Sequence, residues 1–282
     1  MAEPLPPTPT GAPASPPEHE LDHGRMPFFS HLRELRDRVR SASVYFGVAF
    51  IGCFYFSKQI YRWLQVPLFE VWARQEQTLG PPNMVFSSVT EPFWVYMSVA
   101  LWAGIFVASP FIFFQLWRFV APGLYKRERR VGVVFALFSG VFFVSGALFC
   151  YHMVLERLYE FLLGYATAEL RPMLVMKDYL DLTRNMMLAF GGVFELPLLI
   201  YFLALANLVT PRGLWRFNRW FVVLAFVVGA ILTPSPDVVS QIMMAVPMIL
   251  LYNLSIIAAH FVYRGKKRRE AEELAREASG NP

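Results

Sequence analysis

The sequence predicts an all-α polytopic membrane protein with six transmembrane helices and both termini in the cytoplasm. Of its 282 residues, 56% are hydrophobic and only 17% are charged, which is too apolar for a water-soluble domain of this size. Lys and Arg are unequally divided between the connecting segments, with 19 on the side of the N-terminus and 7 on the opposite side. The positive-inside rule therefore places both termini in the cytoplasm.

The chain is expected to divide into a membrane domain and two tails. Residues 1–25 contain seven prolines and no apolar segment, which predicts a disordered, Pro-rich cytoplasmic tail. Residues 26–263 are predicted to form the six-span membrane domain. Residues 264–282 begin with a Lys/Arg cluster and are predicted to form a basic, charged cytoplasmic tail.

Each charge-free stretch is predicted to form one helix, because a helix satisfies its own backbone hydrogen bonds in lipid. In chain order the stretches are Ser41–Ser57, Pro92–Trp117, Val131–Leu155, Met186–Leu205, Trp220–Pro236 and Val238–Tyr263. Prolines at positions 110, 197 and 247 fall inside the second, fourth and sixth stretches. Each proline removes an intrahelical bond and bends its helix, which predicts a curved, concave bundle.

The fifth helix is predicted to be short. Thr233–Asp237 contains two prolines and must form a turn, so only the thirteen residues from Trp220 to Leu232 remain for the helix. At 1.5 Å per residue they span roughly 20 Å, less than the hydrocarbon core of a bilayer. The fifth and sixth helices are therefore expected to be short or shallow in the membrane.

The first external segment, from Lys58 to Glu91, is predicted to carry a helix that lies along the outer interface, because it is rich in aromatic and aliphatic side chains. Thr90 is the expected N-cap of the second span. Glu91 follows as an acid in the first turn. Pro92 comes next, where the lack of a backbone N–H costs no hydrogen bond.

Glu195 is the only charged residue of the apolar run Met186–Leu205. A carboxylate near the middle of a bilayer costs at least about 2.5 kcal/mol, so it is kept where it faces protein, a water-filled cavity or a partner. Two interpretations stay open: an internal contact with a polar residue of a neighbouring span, or a contact with a partner helix.

Two further acids are surrounded by cations on the cytoplasmic side. Glu128 has four basic neighbours between Lys126 and Arg130, and Glu34 lies in an amphipathic helical segment that runs into the first span. The simpler interpretation is local charge balance, with Glu34 paired to Arg38 four residues later.

Known catalytic and metal-binding patterns are missing from the sequence. There is no nucleotide-binding glycine loop, no zinc-protease motif and no nucleophile elbow, and the five histidines and two cysteines show no metal-ligand spacing. The sequence therefore predicts a protein that is not an enzyme and has no catalytic residues, metal site or cofactor.

Several segments together resemble the TatC family of the twin-arginine protein translocase, over roughly residues 26–263. The segments are the surroundings of Glu34 and Arg36, Thr90–Phe93, Phe119–Arg130, Phe194–Pro197, the run from Phe226 to Pro234, and Asp237–Gln241. The resemblance implies a core receptor subunit in the bacterial cytoplasmic (inner) membrane. It would bind the twin-arginine signal peptides of folded proteins, which are exported with TatA and TatB single-span subunits by means of the proton-motive force.

The resemblance also implies roles for individual residues. The signal peptide would be bound by Glu34, Arg36, Phe119 and Glu128. The two carboxylates suit its arginines, because a guanidinium group can place two parallel hydrogen bonds on one carboxylate. Glu195 would contact a partner helix. Asp237 and Gln241 would form a polar patch at the start of the sixth helix, although Asp237 is equally suited to a simple N-cap. The protein is expected to form a homo-oligomer within the complex, to contact lipid and to bind no nucleic acid.

Two other function classes compete with the receptor. A small-solute secondary transporter would also use an acid beside a proline-broken helix, but the sequence shows no repeat symmetry and only one deeply placed acid. In a structural membrane scaffold, all of these carboxylates would serve charge balance alone.

Overall fold

The computed structural model describes residues 28–75, 80–120, 129–167, 170–206, 208–232 and 238–278, so the tail predicted over residues 1–25 lies outside them. The described residues are mostly helical, with two short strands. In chain order the elements are α1 (Phe28–Tyr55), α2 (Ser57–Arg74), β1 (Met84–Val85), α3 (Glu91–Val120), α4 (Arg129–Phe149), α5 (Leu155–Leu163), β2 (Leu174–Val175), α6 (Met176–Phe194), α7 (Leu196–Leu205), α8 (Pro211–Leu232) and α9 (Val238–Ala278). A π-helical turn, Cys150–Val154, joins α4 to α5.

The helices account for the six predicted spans. Five helical segments in the described part of the chain are long and apolar enough to cross a membrane, and the sixth is the bent pair formed by α1 and α2. The two helices of that pair meet at 77°. Because α2 turns away from α1 by so much, it crosses the external ends of the bundle, as predicted for this segment. The all-α polytopic fold is thereby confirmed.

The length predicted for the last two helices needs correction. Helix α8 has 22 residues because it begins at Pro211, nine residues before its apolar part. The added turns carry Arg212, Arg216 and Arg219 and are amphipathic, which is why they resemble a loop in the sequence. Only the apolar part of α8 is therefore as short as the sequence predicts. Helix α9 extends over 41 residues and continues through the basic cluster after Tyr263.

Proline and tyrosine together fix α2 against the bundle. Pro67 lies inside α2 and has no N–H, so the carbonyl of Trp63 one turn earlier loses its intrahelical partner. The Tyr151 hydroxyl donates to that carbonyl at 2.6 Å, and the Tyr179 hydroxyl donates to the neighbouring Leu64 carbonyl at 2.5 Å. Two side chains from α6 and the π-helical turn thus satisfy backbone groups of α2 and hold it in place.

Glycines allow close contact between the spans. A Cβ on Gly140 would lie 2.5 Å from the Cα of Pro110, so α3 and α4 touch through their backbones there. A Cβ on Gly146 would lie 2.6 Å from the Phe190 carbonyl oxygen, which brings α4 against α6. Small residues at helix contacts are the usual means of association inside a membrane, where the hydrophobic effect between helices is absent.

The described side chains form two large apolar cores. One joins α2, α3, the π-helical turn, α5 and α6 in the external half of the molecule, and the other joins α7, α8 and α9. The two external segments are also linked by backbone pairing, since β1 and β2 form a parallel pair that aligns Met84 with Leu174 and Val85 with Val175. The external side is thus a connected layer, and Glu34 and Glu195 lie on the cytoplasmic side of it.

Candidate functional site

The cytoplasmic acid Glu34 forms an ion pair within its own helix. Its Oε1 accepts a hydrogen bond at 3.0 Å from an Nη of Arg38, one turn later in α1, and about a quarter of each side chain is exposed. Arg36 is mostly exposed and pairs with its neighbour Asp37 at 3.3 Å. The structure therefore places Glu34 and Arg36 two residues apart, on nearly opposite faces of an accessible helix, with Glu34 paired to Arg38.

The packing of α1 on α3 determines the height of Phe119. Tyr45 stacks on Phe111 with ring centroids 5.2 Å apart, and the backbone of Phe50 lies against Gly104. The two helices run antiparallel, so residues earlier in α1 lie beside residues later in α3. Since each residue adds 1.5 Å in both helices, Phe119 is at about the level of Arg36 at the cytoplasmic end.

Two of the residues chosen from the sequence lie outside the described residues. They are Glu128, in the segment between α3 and α4, and Asp237, in the segment between α8 and α9. Gln241 is described and half-buried in the first turn of α9. Its backbone packs on Gly229 of α8, where a Cβ would lie 3.4 Å from the Gln241 carbonyl oxygen. Gln241 thus belongs to the contact between the last two helices.

Glu195 lies at a break in the fourth span, between the end of α6 and the start of α7. Its Oε2 accepts a hydrogen bond of 2.9 Å from the hydroxyl of Ser139 in α4. The Ser139 oxygen in turn accepts a hydrogen bond of 2.8 Å from the indole N–H of Trp117 in α3. Because α7 continues for ten residues after Glu195, this chain of three residues lies about 15 Å from the cytoplasmic end of that helix.

The surroundings of Glu195 leave one of its oxygens without a partner. Oε1 is buried and accepts no hydrogen bond among the described residues. Ser139 is fully buried, and the Trp117 ring packs on Phe135 and Phe202 with centroids 5.6 and 4.5 Å apart. The internal contact considered from the sequence is therefore present, but it engages only one of the two carboxylate oxygens.

Sequence reasoning missed three residues that the structure makes important. Ser139 and Trp117 carried no signal, because neither is unusual in an apolar helix. Glu91 was noted only as an acid in a first helical turn, yet it is 5% exposed. Its carboxylate accepts hydrogen bonds from the backbone and hydroxyl of Ser87, both at 2.6 Å, and from the backbone N–H of Lys177 at 3.1 Å. Its burial and its contact with a distant segment could not be read from the chain.

These features define a class of protein: a multi-pass helical membrane protein with one polar contact inside the spans and charged groups at the cytoplasmic helix ends. A family model narrows the class further. The model described as Sec-independent protein translocase protein (TatC) matches residues 30–247. The chain belongs to the TatC family. It is therefore a membrane subunit of the Sec-independent, or twin-arginine, protein translocase.

Individual relatives agree over nearly their whole length. The chain is 41% identical over 250 residues to the TatC protein of Koribacter versatilis, covering 88% of this chain and 91% of the relative. It is 37% identical to TatC of Aquifex aeolicus, covering 86% and 98%. A crystal structure of the twin arginine translocase receptor TatC superposes with a TM-score of 0.72 at 35% identity, covering 83% of this chain and 99% of that one.

Proposed function

We propose that this protein is the receptor subunit that binds twin-arginine signal peptides of folded proteins and, without catalysing a reaction itself, passes them to TatA- and TatB-type subunits for export driven by the proton-motive force. The observation that supports the proposal most strongly is the similarity to crystal structures of a twin arginine translocase receptor over more than four fifths of the chain. The charged groups at the cytoplasmic helix ends agree with it.

The signal peptide is proposed to bind across the cytoplasmic ends of the first two spans. Glu34 and Glu128 supply the carboxylates for its two guanidinium groups, and Phe119, level with Arg36, contacts its apolar part. The signal is cytoplasmic before transport, so its acceptors must face that side. An arginine fork can place two hydrogen bonds on one carboxylate, whereas a lysine ammonium acts as a single point charge.

The ion pair of Glu34 makes this site selective. Arg38 lies 3.0 Å from Glu34, so an incoming cation must displace or share an existing partner. An i,i+4 ion pair within a helix is worth only about 0.3–0.5 kcal/mol. A bidentate arginine can exceed this gain, whereas an isolated lysine gains little by replacing Arg38. The intrahelical pair and the proposed binding role are therefore compatible.

Glu195 is proposed to contact a polar residue on the single span of a TatA- or TatB-type subunit. Its Oε1 is buried without a hydrogen-bond partner among the described residues, and an unsatisfied buried acceptor costs about 1–3 kcal/mol. A donor on a partner helix that reached this oxygen would recover that free energy. Asp237 and Gln241 are proposed as a second polar patch on the external side, where Asp237 also suits the N-cap of α9.

The receptor role is tested by photocrosslinking a twin-arginine signal peptide to probes placed in residues 28–40 and 118–130. Glu128→Ala and Glu34→Gln should each greatly reduce crosslinking, and a Lys-Lys signal should crosslink poorly to the unaltered protein. Glu272→Gln is the matched control, because Glu272 forms the same i,i+4 pair with Arg268 on the cytoplasmic extension of α9. Crosslinking that survives both acid substitutions would remove these acids from the site.

The partner contact is tested separately by co-purification in detergent. Glu195→Ala should lower recovery of the TatA- or TatB-type subunit more than it lowers signal-peptide crosslinking. An unchanged complex would show that Glu195 serves only its internal bond to Ser139.

A further inference from the structure

Two adjoining cavities lie in the external half of the bundle, away from the cytoplasmic site. The first, of about 540 Å³, is polar and lies between the start of α3 and the external half of α6. Lys177, Asp181 and Arg184 line it at i, i+4 and i+7, so one face of α6 presents all three charges to the cavity.

The second cavity, of about 290 Å³, is lined almost entirely by apolar side chains from the bend between α1 and α2 and from α3, α4 and α6. Leu180 and Arg184 line both cavities, so the two lie next to each other along α6. Several lining side chains are exposed, including Trp63, Val107 and Leu148. The apolar cavity is therefore reachable from the lipid side.

Arg184 stands at the junction and keeps part of its hydrogen-bonding capacity. One Nη donates to Asp181 at 2.8 Å, while the other Nη and Nε donate to Asn185 at 3.0 and 3.1 Å. The guanidinium carbon lies 5.2 Å from the centre of the Trp102 ring, in cation–π contact with it. A guanidinium has five N–H groups, so two remain for a ligand.

The second cation of the polar cavity is Lys177. Its side chain is exposed, and it forms no ion pair with any described carboxylate. Glu91, which also lines this cavity, uses both carboxylate oxygens on Ser87 and on the Lys177 backbone. The ammonium of Lys177 and the spare N–H groups of Arg184 are thus available to an anion.

We propose that these cavities bind one glycerophospholipid of the external leaflet, with its phosphate on Lys177 and Arg184 and an acyl chain in the apolar cavity. Arg184 comes two residues before the apolar run Met186–Leu205, at the external edge of that run. Arginine and lysine are the usual partners of phosphate, and basic pockets between spans bind lipid headgroups.

A lipid fits the apolar cavity better than a peptide does. A peptide that is not helical would need hydrogen-bond partners for its backbone, which the almost wholly apolar lining lacks. An acyl chain has no such groups to satisfy.

The proposal is tested with the full-length protein in detergent by native mass spectrometry. Dioleoyl phosphatidylglycerol should be retained, while dioleoylglycerol, which lacks the phosphate, and inorganic phosphate alone should not.

Lys177→Gln should lower lipid retention about two- to fivefold, as expected for an exposed charge. Arg184→Gln should lower it about tenfold or more, and Ala103→Phe should lower it by filling the apolar cavity. Arg157→Gln, an exposed external cation on α5, should retain lipid like the unaltered protein.

Equal retention by all variants, or equal retention of dioleoylglycerol, would overturn the proposal. Lys177→Gln also covers the case in which Arg184→Gln does not fold, because Lys177 is exposed and forms no ion pair with a described carboxylate. If the variants lose signal-peptide crosslinking but retain phosphatidylglycerol fully, the cavities serve the peptide and the lipid assignment is wrong.

Discussion

Ser139 is small and fully buried, and it stands between two groups that depend on it. It donates to the Glu195 carboxylate and accepts from the Trp117 indole. Ser139→Ala removes both bonds at once and leaves polar atoms unsatisfied, so we expect the free energy of unfolding in detergent to fall by about 1–3 kcal/mol. The measurement is denaturant titration of the purified protein.

Ser145 provides the control for this change. It lies in the same helix, and its hydroxyl donates only to a carbonyl of its own turn, so Ser145→Ala should alter stability little. Trp117→Phe combined with Ser139→Ala should cost less than the sum of the single changes. Strictly additive costs would contradict a connected chain of hydrogen bonds.

Arg38 is expected to set the selectivity of Glu34. Arg38→Gln removes the partner at 3.0 Å and leaves Glu34 available to any cation. Signal peptides with one arginine should then bind up to about twofold more tightly, in line with the strength of an i,i+4 ion pair within a helix. The preference for Arg-Arg over Lys-Lys signal peptides should become smaller. Fluorescence titration with labelled peptides measures both. Arg268→Gln, which breaks the similar pair with Glu272, should leave the preference unchanged.

At the scale of single residues, the sequence predicts which positions are important better than it predicts which residues they contact. Glu195 was recognisable because a lone acid in an apolar run is costly wherever it lies. Its bond to Ser139 depends on the rotation and register of α4 against α6, which involve residues 56 positions apart. The Glu34–Arg38 pair was predictable because its four-residue spacing is a property of the helix itself.

The contact between α4 and α6 depends on Gly146. A Cβ at this position would meet the Phe190 carbonyl oxygen at 2.6 Å and the Phe194 ring at 2.7 Å. Backbone atoms cannot move aside cheaply, so Gly146→Ala should separate the helices and lower the free energy of unfolding by about 1–3 kcal/mol. Thermal unfolding in detergent would show this as a lower Tm.

Gly192 is the matched control in the facing helix. A Cβ there has nothing within 4 Å, and alanine favours helix by up to about 1 kcal/mol over glycine. Gly192→Ala should therefore be neutral or slightly stabilising. If both alanines lowered the Tm equally, helix flexibility rather than close packing would explain the two glycines.

At the scale of elements, the length of an apolar stretch predicts a membrane span well. It does not predict how far the helix continues into amphipathic turns at its ends. The six spans and the helix across the external side follow from uninterrupted apolar or aromatic stretches. The start of α8 at Pro211 was missed because its first turns carry three arginines. Strands β1 and β2 have two residues each and pair across 90 positions, and so short a strand has no periodicity to detect.

At the scale of the whole molecule, one buried carboxylate links the two external segments. Glu91 connects the segment before α3 with the start of α6, next to the paired strands β1 and β2. Arg74 and Glu156 add an exposed ion pair between α2 and α5 at 2.8 Å. The buried carboxylate contributes more than the exposed pair, because a hydrogen-bonded charge shielded from water interacts more strongly.

Loss of Glu91 is therefore expected to loosen the external side without unfolding the spans. Glu91→Ala leaves the Ser87 hydroxyl and the backbone N–H groups of Ser87 and Lys177 without their acceptor. Their amides should exchange with deuterium about tenfold faster or more. Amides around Ser139, in the middle of the spans, should keep their protection.

Glu160→Ala separates this effect from a general loss of external charge. Glu160 is an external acid whose ion pair is an exposed 3.4 Å contact with Arg157 in its own helix, so its removal should leave exchange at Ser87 and Lys177 unchanged. If Glu91→Ala also left those amides protected, the β1–β2 pairing and the apolar core beneath it would suffice to hold the two external segments together. Faster exchange throughout the spans would instead make Glu91 a determinant of the whole fold, because the opening would then have spread from the external layer into the helix contacts.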